Sequence, residues 1–224
     1  MPMPARSSRR RRRSACRSST RPNSCAAHAP NPKLASHMSA SAHPTAATDG
    51  LTIGRGALRQ LHHSLLRDAA DRAVAILQEA GFAAGEGVYQ SFCAWLPLET
   101  GVPRPEELDA GQMSGVLSAF FQAHGWGTVT VALLGSAALS VDSEDWVEAE
   151  PGSAETPMCF FSAGMLSDFL GRLSGEPVAV MEVECRSKHD ARCRFLSASP
   201  DTLNAVYEEM TKGTGYGEAL GAGA

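Results

Sequence analysis

The stretch from residue 156 to residue 196 limits how this chain can fold, because three of the chain's six cysteines lie there together with the strand glutamates Glu182 and Glu184. Cys185 and Cys193 flank a polar turn, residues 186–192, between two segments that we expect to be strands. A folded hairpin of this kind brings the two sulfurs towards each other. Thiolates and carboxylates with this spacing can close around a zinc ion.

Two acids compete for the carboxylate position in this stretch. Glu182 lies three residues before Cys185, which puts the two side chains on opposite faces of a regular strand. A β-bulge near Val183 would aim both at one point, and bulges commonly re-aim side chains in this way. Glu184 directly precedes Cys185, so its side chain would also lie on the opposite face of a regular strand. The spacing therefore does not decide which of the two acids is the ligand.

Cys159 lies at the first turn of a predicted helix, where free backbone N–H groups favour a thiolate. Three sulfurs and one carboxylate make four ligands, the usual number for zinc, and leave no position for a reacting water. We therefore expect a structural zinc and no hydrolytic chemistry. The alternative is that the three cysteines are buried apolar residues, two of which pair as a disulfide.

Charge is distributed very unevenly along the chain. No acid precedes Asp49, whereas nine Lys and Arg do; from Asp49 onward 11 Lys and Arg face 24 acids, a net charge of −13. A body this acidic disfavours binding to nucleic acid or to an anionic membrane. The chain has no apolar run long enough to span a membrane, and its N-terminus lacks the apolar core of a secretory signal. Two of the six cysteines lie in the basic N-terminal part and Cys93 lies in an apolar helical segment, so we expect a reducing cytoplasm and no disulfide scaffold.

Composition divides the chain into three parts. Residues 1–50 are rich in Arg, Ser, Ala and Pro and predict a disordered basic tail. This tail is a basic arm for nucleic acid, a transit-like peptide, or an upstream extension that is not native because translation begins at Met38; we favour the last. Residues 51–212 form the domain, and residues 213–224 a flexible tail.

Apolar spacing and turn residues predict an α+β fold with helices around an antiparallel sheet. Apolar residues show little periodicity over residues 51–61, Gly81 ends the first predicted helix, and Pro97 begins a predicted loop. The predicted helices cover residues 65–80, 86–95, 109–124, 156–175 and 199–212. The predicted strands cover residues 127–134, 137–141, 146–149, 177–185 and 192–198.

The ordered cysteines, glutamate and glycine resemble the 4-vinyl reductase domain family over roughly residues 51–210. The pattern is Cys159-Phe160-Phe161-x-x-Gly164, then Glu182-x-x-Cys185, then Cys193-x-Phe195. The resemblance implies that zinc is held by Cys159, Glu182, Cys185 and Cys193, which selects Glu182 over Glu184. It also implies a fold shared with Golgi transport-particle subunits and related to nitric-oxide sensors, with an apolar ligand pocket and a tendency to dimerise.

The family occurs as the sensor half of aromatic-responsive activators, as a stand-alone protein of bacteriochlorophyll synthesis, and in small binding proteins. The chain has no GxxxxGK[ST] ATPase motif, which favours the stand-alone setting. We expect it to bind or deliver a tetrapyrrole intermediate. One alternative is a sensor of a small aromatic or hydrocarbon ligand that acts through a separate partner. The second is a genuine vinyl reductase, which the sequence disfavours because it has no GxGxxG and zinc carries no electrons.

The expected ligand pocket lies between the third helix and the sheet, where five ring-bearing residues are available. They are Phe120, Phe121, His124, Trp126 and Trp146. The two phenylalanines are also natural core residues, and His124 suits either the surface or an axial position on a metallated tetrapyrrole. His62 and His63 are adjacent in sequence and make a poor metal pair.

Overall fold

The structure is a computed structural model that describes residues 53–221. The expectations for residues 1–50, including initiation at Met38, lie outside the described residues. The helices are α1 (Arg55–Asp68), α2 (Ala70–Thr100), α3 (Ala110–Ala123), α4 (Phe160–Ser174), α5 (Pro200–Thr211) and α6 (Tyr216–Ala219). The strands are β1 (Thr130–Leu134), β2 (Ala138–Ser143), β3 (Ala179–Glu184) and β4 (Cys193–Ala198). Short 3₁₀ turns cover Pro105–Glu107 and Arg186–Lys188.

The four strands form one antiparallel sheet in the order β1-β2-β4-β3, which confirms the predicted α+β class. A larger apolar core joins α2, α3 and α4 to one region of the sheet, and a smaller one joins α5 and α6 to another. Among the described helices none is both long and apolar enough to cross a membrane. Residues 146–149, predicted as a strand, are not one: Trp146 is instead a core residue whose indole N–H donates to Ser162 Oγ at 2.7 Å.

The first two helices differ from prediction because Gly81 does not end a helix. Helix α2 runs through Gly81 and Pro97 and ends at Gly101, which has a left-handed φ of 76°. The break between the first two helices lies earlier, at Ala69, and α1 includes residues 55–61, which show little apolar periodicity in the sequence. A Cβ at Gly81 would lie 2.8 Å from the carbonyl carbon of Phe161, so the glycine is required by close approach to α4.

The glycine on the facing helix has the same role. A Cβ at Gly164 would lie 2.8 Å from the backbone nitrogen of Phe82 and closer still to the carbonyl oxygen of Gln78. Any side chain at Gly164 would collide with the backbone of α2. The two glycines bring the backbones of α2 and α4 into contact and so fix the position of α4 relative to α2.

Polar caps explain where α3 and α5 begin. Asp109 accepts a hydrogen bond from Gly111 N at 2.7 Å and Ser199 one from Thr202 N at 3.2 Å, as predicted for α3 and α5. Thr156-Pro157, the predicted start of the fourth helix, precedes it, and Cys159 is the N-cap. Residues 213–224 are expected as a flexible tail, but their described part contains α6, whose Tyr216 hydroxyl contacts Glu184 and Arg194.

Gly164→Ala tests the close contact between α2 and α4. The added methyl group must displace backbone atoms, so we expect the free energy of unfolding in urea to fall by about 1–3 kcal/mol. Gly87→Ala is the matched control, because it lies inside α2 and a Cβ there meets nothing within 4 Å. It should raise the free energy of unfolding by about 0.5–1 kcal/mol. Equal effects of the two substitutions would contradict this role for Gly164.

Candidate metal centre and neighbouring cavities

The four predicted metal ligands come together where the start of α4 meets the β3–β4 hairpin. One donor atom from each of Cys159, Glu182, Cys185 and Cys193 lies within 4.8 Å of all the others. The Cys159 Sγ lies 3.9 Å from both the Cys185 Sγ and the Cys193 Sγ. The three cysteines are at most 1% exposed and are free thiols, so the disulfide alternative does not apply to this arrangement.

A β-bulge at Val183 gives Glu182 its direction, as the sequence predicts. The strand register pairs Glu182 with Phe195 and Glu184 with Arg194, which leaves Val183 unmatched. Glu184 therefore lies elsewhere, where it accepts from Arg192 Nε at 2.8 Å and from the Tyr216 hydroxyl. These bonds occupy the carboxylate of Glu184 and leave Glu182 as the acid of the centre.

Backbone and side-chain hydrogen bonds orient the donors. The Cys159 N–H donates to Glu182 Oε2 at 2.9 Å, and the Cys185 N–H donates to Asp190 Oδ2 at 2.8 Å. The other oxygen of Glu182, Oε1, is buried and has no hydrogen-bond partner. A buried acceptor without a partner costs about 1–3 kcal/mol, so this oxygen fits a site that binds a cation.

The charges of the four donors also favour a bound cation. Burial and the neighbouring Cys185 thiolate raise the pKa of Glu182 to about 8. Hydrogen bonds from Cys159 and Cys193 lower the pKa of Cys185, and the same bond with Cys185 raises the pKa of Cys159. Without a cation the cluster thus favours a single thiolate. A divalent cation would offset the repulsion and hold all four groups as anions.

A second buried carboxylate, Glu148, supports the start of α4. It accepts from Phe161 N at 3.0 Å and from Ser162 N at 2.8 Å, and the Ser162 hydroxyl also donates to it. His62 Nε2 lies 2.9 Å from Glu148 Oε1, at ion-pair distance but outside hydrogen-bond alignment. Glu148 could not be identified from the sequence, because no spacing links it to a helix that begins 12 residues later.

The two adjacent histidines do not form a metal pair. His63 Nε2 lies 3.1 Å from Glu150 Oε2, whereas His62 faces Glu148. A cavity of about 30 Å³ lies beside these four side chains. It has room for about one water molecule.

The five residues predicted to line a ligand pocket are brought together as one aromatic cluster. Three of them, Phe120, Phe121 and Trp146, are each about 1% exposed. The ring centroid of Phe121 lies 5.3 Å from that of Phe120 and 5.6 Å from that of Trp146. Trp126 stacks on Trp146 at 5.7 Å, and the exposed His124 donates from Nδ1 to Phe120 O at 2.8 Å. Neither of the two cavities described here is lined by them, and their role in ligand binding stays a prediction.

The larger cavity is a half-open groove of about 350 Å³ along β3, here called the β3 groove. Four successive strand residues, 179–182, line one side of it. The remaining lining residues come from α2, α4, α5 and the segment before α4: Gln78, Pro157, Cys159, Phe160, Ala163, Leu203, Asn204 and Tyr207. This groove could not be identified from the sequence, because its walls come from segments far apart in the chain.

These features define an α+β domain with a closed, four-donor candidate metal centre. Residues 140–197, which contain all four donors, match the model of the 4-vinyl reductase domain family. The resemblance to this family that the cysteine pattern indicates is thereby confirmed. No curated protein matches the chain in sequence.

The chain is similar to two solved structures. The phenol-responsive sensory domain of the transcription activator PoxR, solved with phenol, aligns with a TM-score of 0.51 and 18% identity over 67% of this chain and 76% of its own. A vinyl-4-reductase family protein from Methanocaldococcus jannaschii aligns with a TM-score of 0.43 and 18% identity over 66% of this chain and 83% of its own. At this identity the PoxR domain shows a common fold alone.

Glu182→Gln tests the assignment of the carboxylate ligand. The amide can still accept from the Cys159 N–H but is a poor metal ligand, so metal affinity should fall by about tenfold or more in competition with a chelator. Glu184→Gln is the matched control two residues away and should retain metal as the wild type does. A loss of metal from the Glu184 variant, with none from the Glu182 variant, would reverse the assignment.

Proposed function

We propose that this protein is a small-molecule-binding module whose fold is held by a structural zinc ion. The observation that carries the proposal is the convergence of three thiols and one carboxylate, with the Cys159 sulfur 3.9 Å from each of the other two sulfurs. Zinc–sulfur bonds of about 2.3 Å at tetrahedral angles require sulfurs about 3.8 Å apart. Four protein ligands leave no open position on the ion. Zinc would therefore hold α4 to the β3–β4 hairpin and would not activate water.

The ligand that the geometry favours is a small aromatic molecule. The PoxR domain that shares this fold is a phenol-responsive sensory domain solved with phenol, which supports an aromatic ligand here. Size supports it too: a cavity of about 150 Å³ binds benzene, so the β3 groove, at about 350 Å³, suits one or two rings. A protein of this kind would sense the ligand and act through a separate partner.

A tetrapyrrole intermediate of bacteriochlorophyll synthesis, the first expectation from the sequence, is the second candidate. The β3 groove is open along one side, which would let part of a larger ring system protrude. Delivery of the pigment needs no electrons. Vinyl reduction would require a separate reductant, because zinc has no redox chemistry.

A homodimer and a reducing cytoplasm complete the proposal; the four free cysteines of the described residues suit such a compartment.

Replacing a thiol ligand should remove the zinc and destabilise the fold. Wild-type protein purified without chelators should contain one zinc per chain by elemental analysis. Cys193→Ser should lose the metal and unfold at a lower temperature, because metal binding contributes to the free energy of folding. Cys93→Ser, at a half-buried cysteine outside the centre, should keep the zinc. A stable Cys193 variant with the thermal stability of the wild type would contradict the zinc assignment.

A ligand panel tests the binding function. Phenols, naphthols and metal-free and magnesium tetrapyrroles are added to the zinc-loaded protein in a thermal-shift assay. A ligand at a hundred times its Kd should stabilise the fold by about 2.7 kcal/mol, which raises the melting temperature. Shifts with the phenols and naphthols alone favour the sensor, and shifts with the tetrapyrroles alone favour the carrier. Absence of any shift across the panel would contradict the proposed function.

A further inference from the structure

We propose that the β3 groove is the ligand site, and that it takes a neutral one- or two-ring molecule with a single hydrogen-bonding substituent. This inference rests on the proposed binding function and adds the position and chemical class of the ligand. It differs from the sequence prediction, which expects the ligand at the aromatic cluster. That cluster is packed ring against ring, whereas the groove is already open.

The groove follows the free edge of the sheet. Strand β3 ends the strand order, so its only strand partner in the described sheet is β4. The small side chain of Ala179 and the apolar side chains of Val180 and Ala163 leave space where a further strand or a larger residue would stand. A flat apolar ring can fill this space without displacing core side chains.

Two exposed side-chain amides of the groove are free to bond to a ligand. The side-chain amides of Gln78 and Asn204 line the groove, are exposed, and make no hydrogen bond within residues 53–221. Tyr207 lies one helical turn after Asn204 and has 59% of its surface exposed. A ligand with one hydroxyl or carbonyl group directed outward could bond to these amides while its rings remain among apolar side chains.

Charge selects against anionic ligands. Glu182 and Cys159 line the inner part of the groove and are also two of the four donors of the metal centre. Three thiolates and a carboxylate around a divalent cation leave a net charge of −2 beside the bound rings. A carboxylate or phosphate on the ligand would be repelled at this short distance, whereas a neutral hydroxyl would not.

The shared residues also couple the two sites. Cys159 and Glu182 cannot keep their metal-binding positions unless the inner wall of the groove keeps its shape. Ligand and metal should therefore each raise the affinity of the protein for the other, by the same factor. The measurable consequence is slower transfer of zinc to a chelator when the groove is filled.

Binding of 2-naphthol and 2-naphthoate to the zinc-loaded full chain tests the site, since the two probes share their rings and differ in charge at neutral pH. We expect 2-naphthol to bind at least about tenfold more tightly. Ala179→Phe places a ring in the groove and should weaken 2-naphthol binding by about tenfold or more. Ala132→Phe, the same change on the exposed strand β1 at the opposite edge of the sheet, should not.

A second measurement on the unaltered sequence avoids dependence on how the variants fold. In protein labelled at the methionine methyl groups, 2-naphthol in the groove should shift the NMR signal of Met181, which lines it. A shift of Met113, which packs against the larger core with the aromatic cluster, would place the ligand there and overturn the inference. So would equal affinity of the wild type and Ala179→Phe. In both cases the binding function would stand; it would fail if the wild type bound no member of the panel.

Discussion

The mutual repulsion of four potential anions in a buried site is the constraint on which the rest of this structure depends. Three buried thiols and the partly buried Glu182 carboxylate converge where water solvates them poorly, and a divalent cation is the simplest charge that makes the arrangement favourable. The centre joins the start of α4 to the β3–β4 hairpin. Because Gly164 then fixes α4 against α2, this junction also sets two walls of the β3 groove.

Much of the centre could be predicted because three of its four ligands lie close together in the sequence, on one hairpin. The turn between Cys185 and Cys193 brings their sulfurs together, and the parity of Glu182 requires the bulge that Val183 forms. The choice of Glu182 over Glu184 came from the resemblance. Its physical reason is the pairing of Glu184 with Arg192 and Tyr216, which depends on elements that no local spacing reveals.

Tertiary contacts explain where prediction from the sequence failed. Asp109 and Ser199 predict helix starts correctly because a capping side chain bonds to its own chain. Gly81 looks like a helix end, but its lack of a side chain serves contact with α4. Glu148 and the β3 groove escaped prediction for a similar reason: their partners lie in distant segments, so neither leaves a periodic signal in the sequence.

X-ray absorption at the zinc edge reports the atoms bonded to the ion and so tests whether these four side chains hold it. We expect a first shell of three sulfurs at about 2.3 Å and one oxygen at about 2.0–2.2 Å, with no further ligand. A shell made mainly of nitrogen and oxygen, or one containing an exchangeable water, would contradict a closed structural centre built from these four side chains.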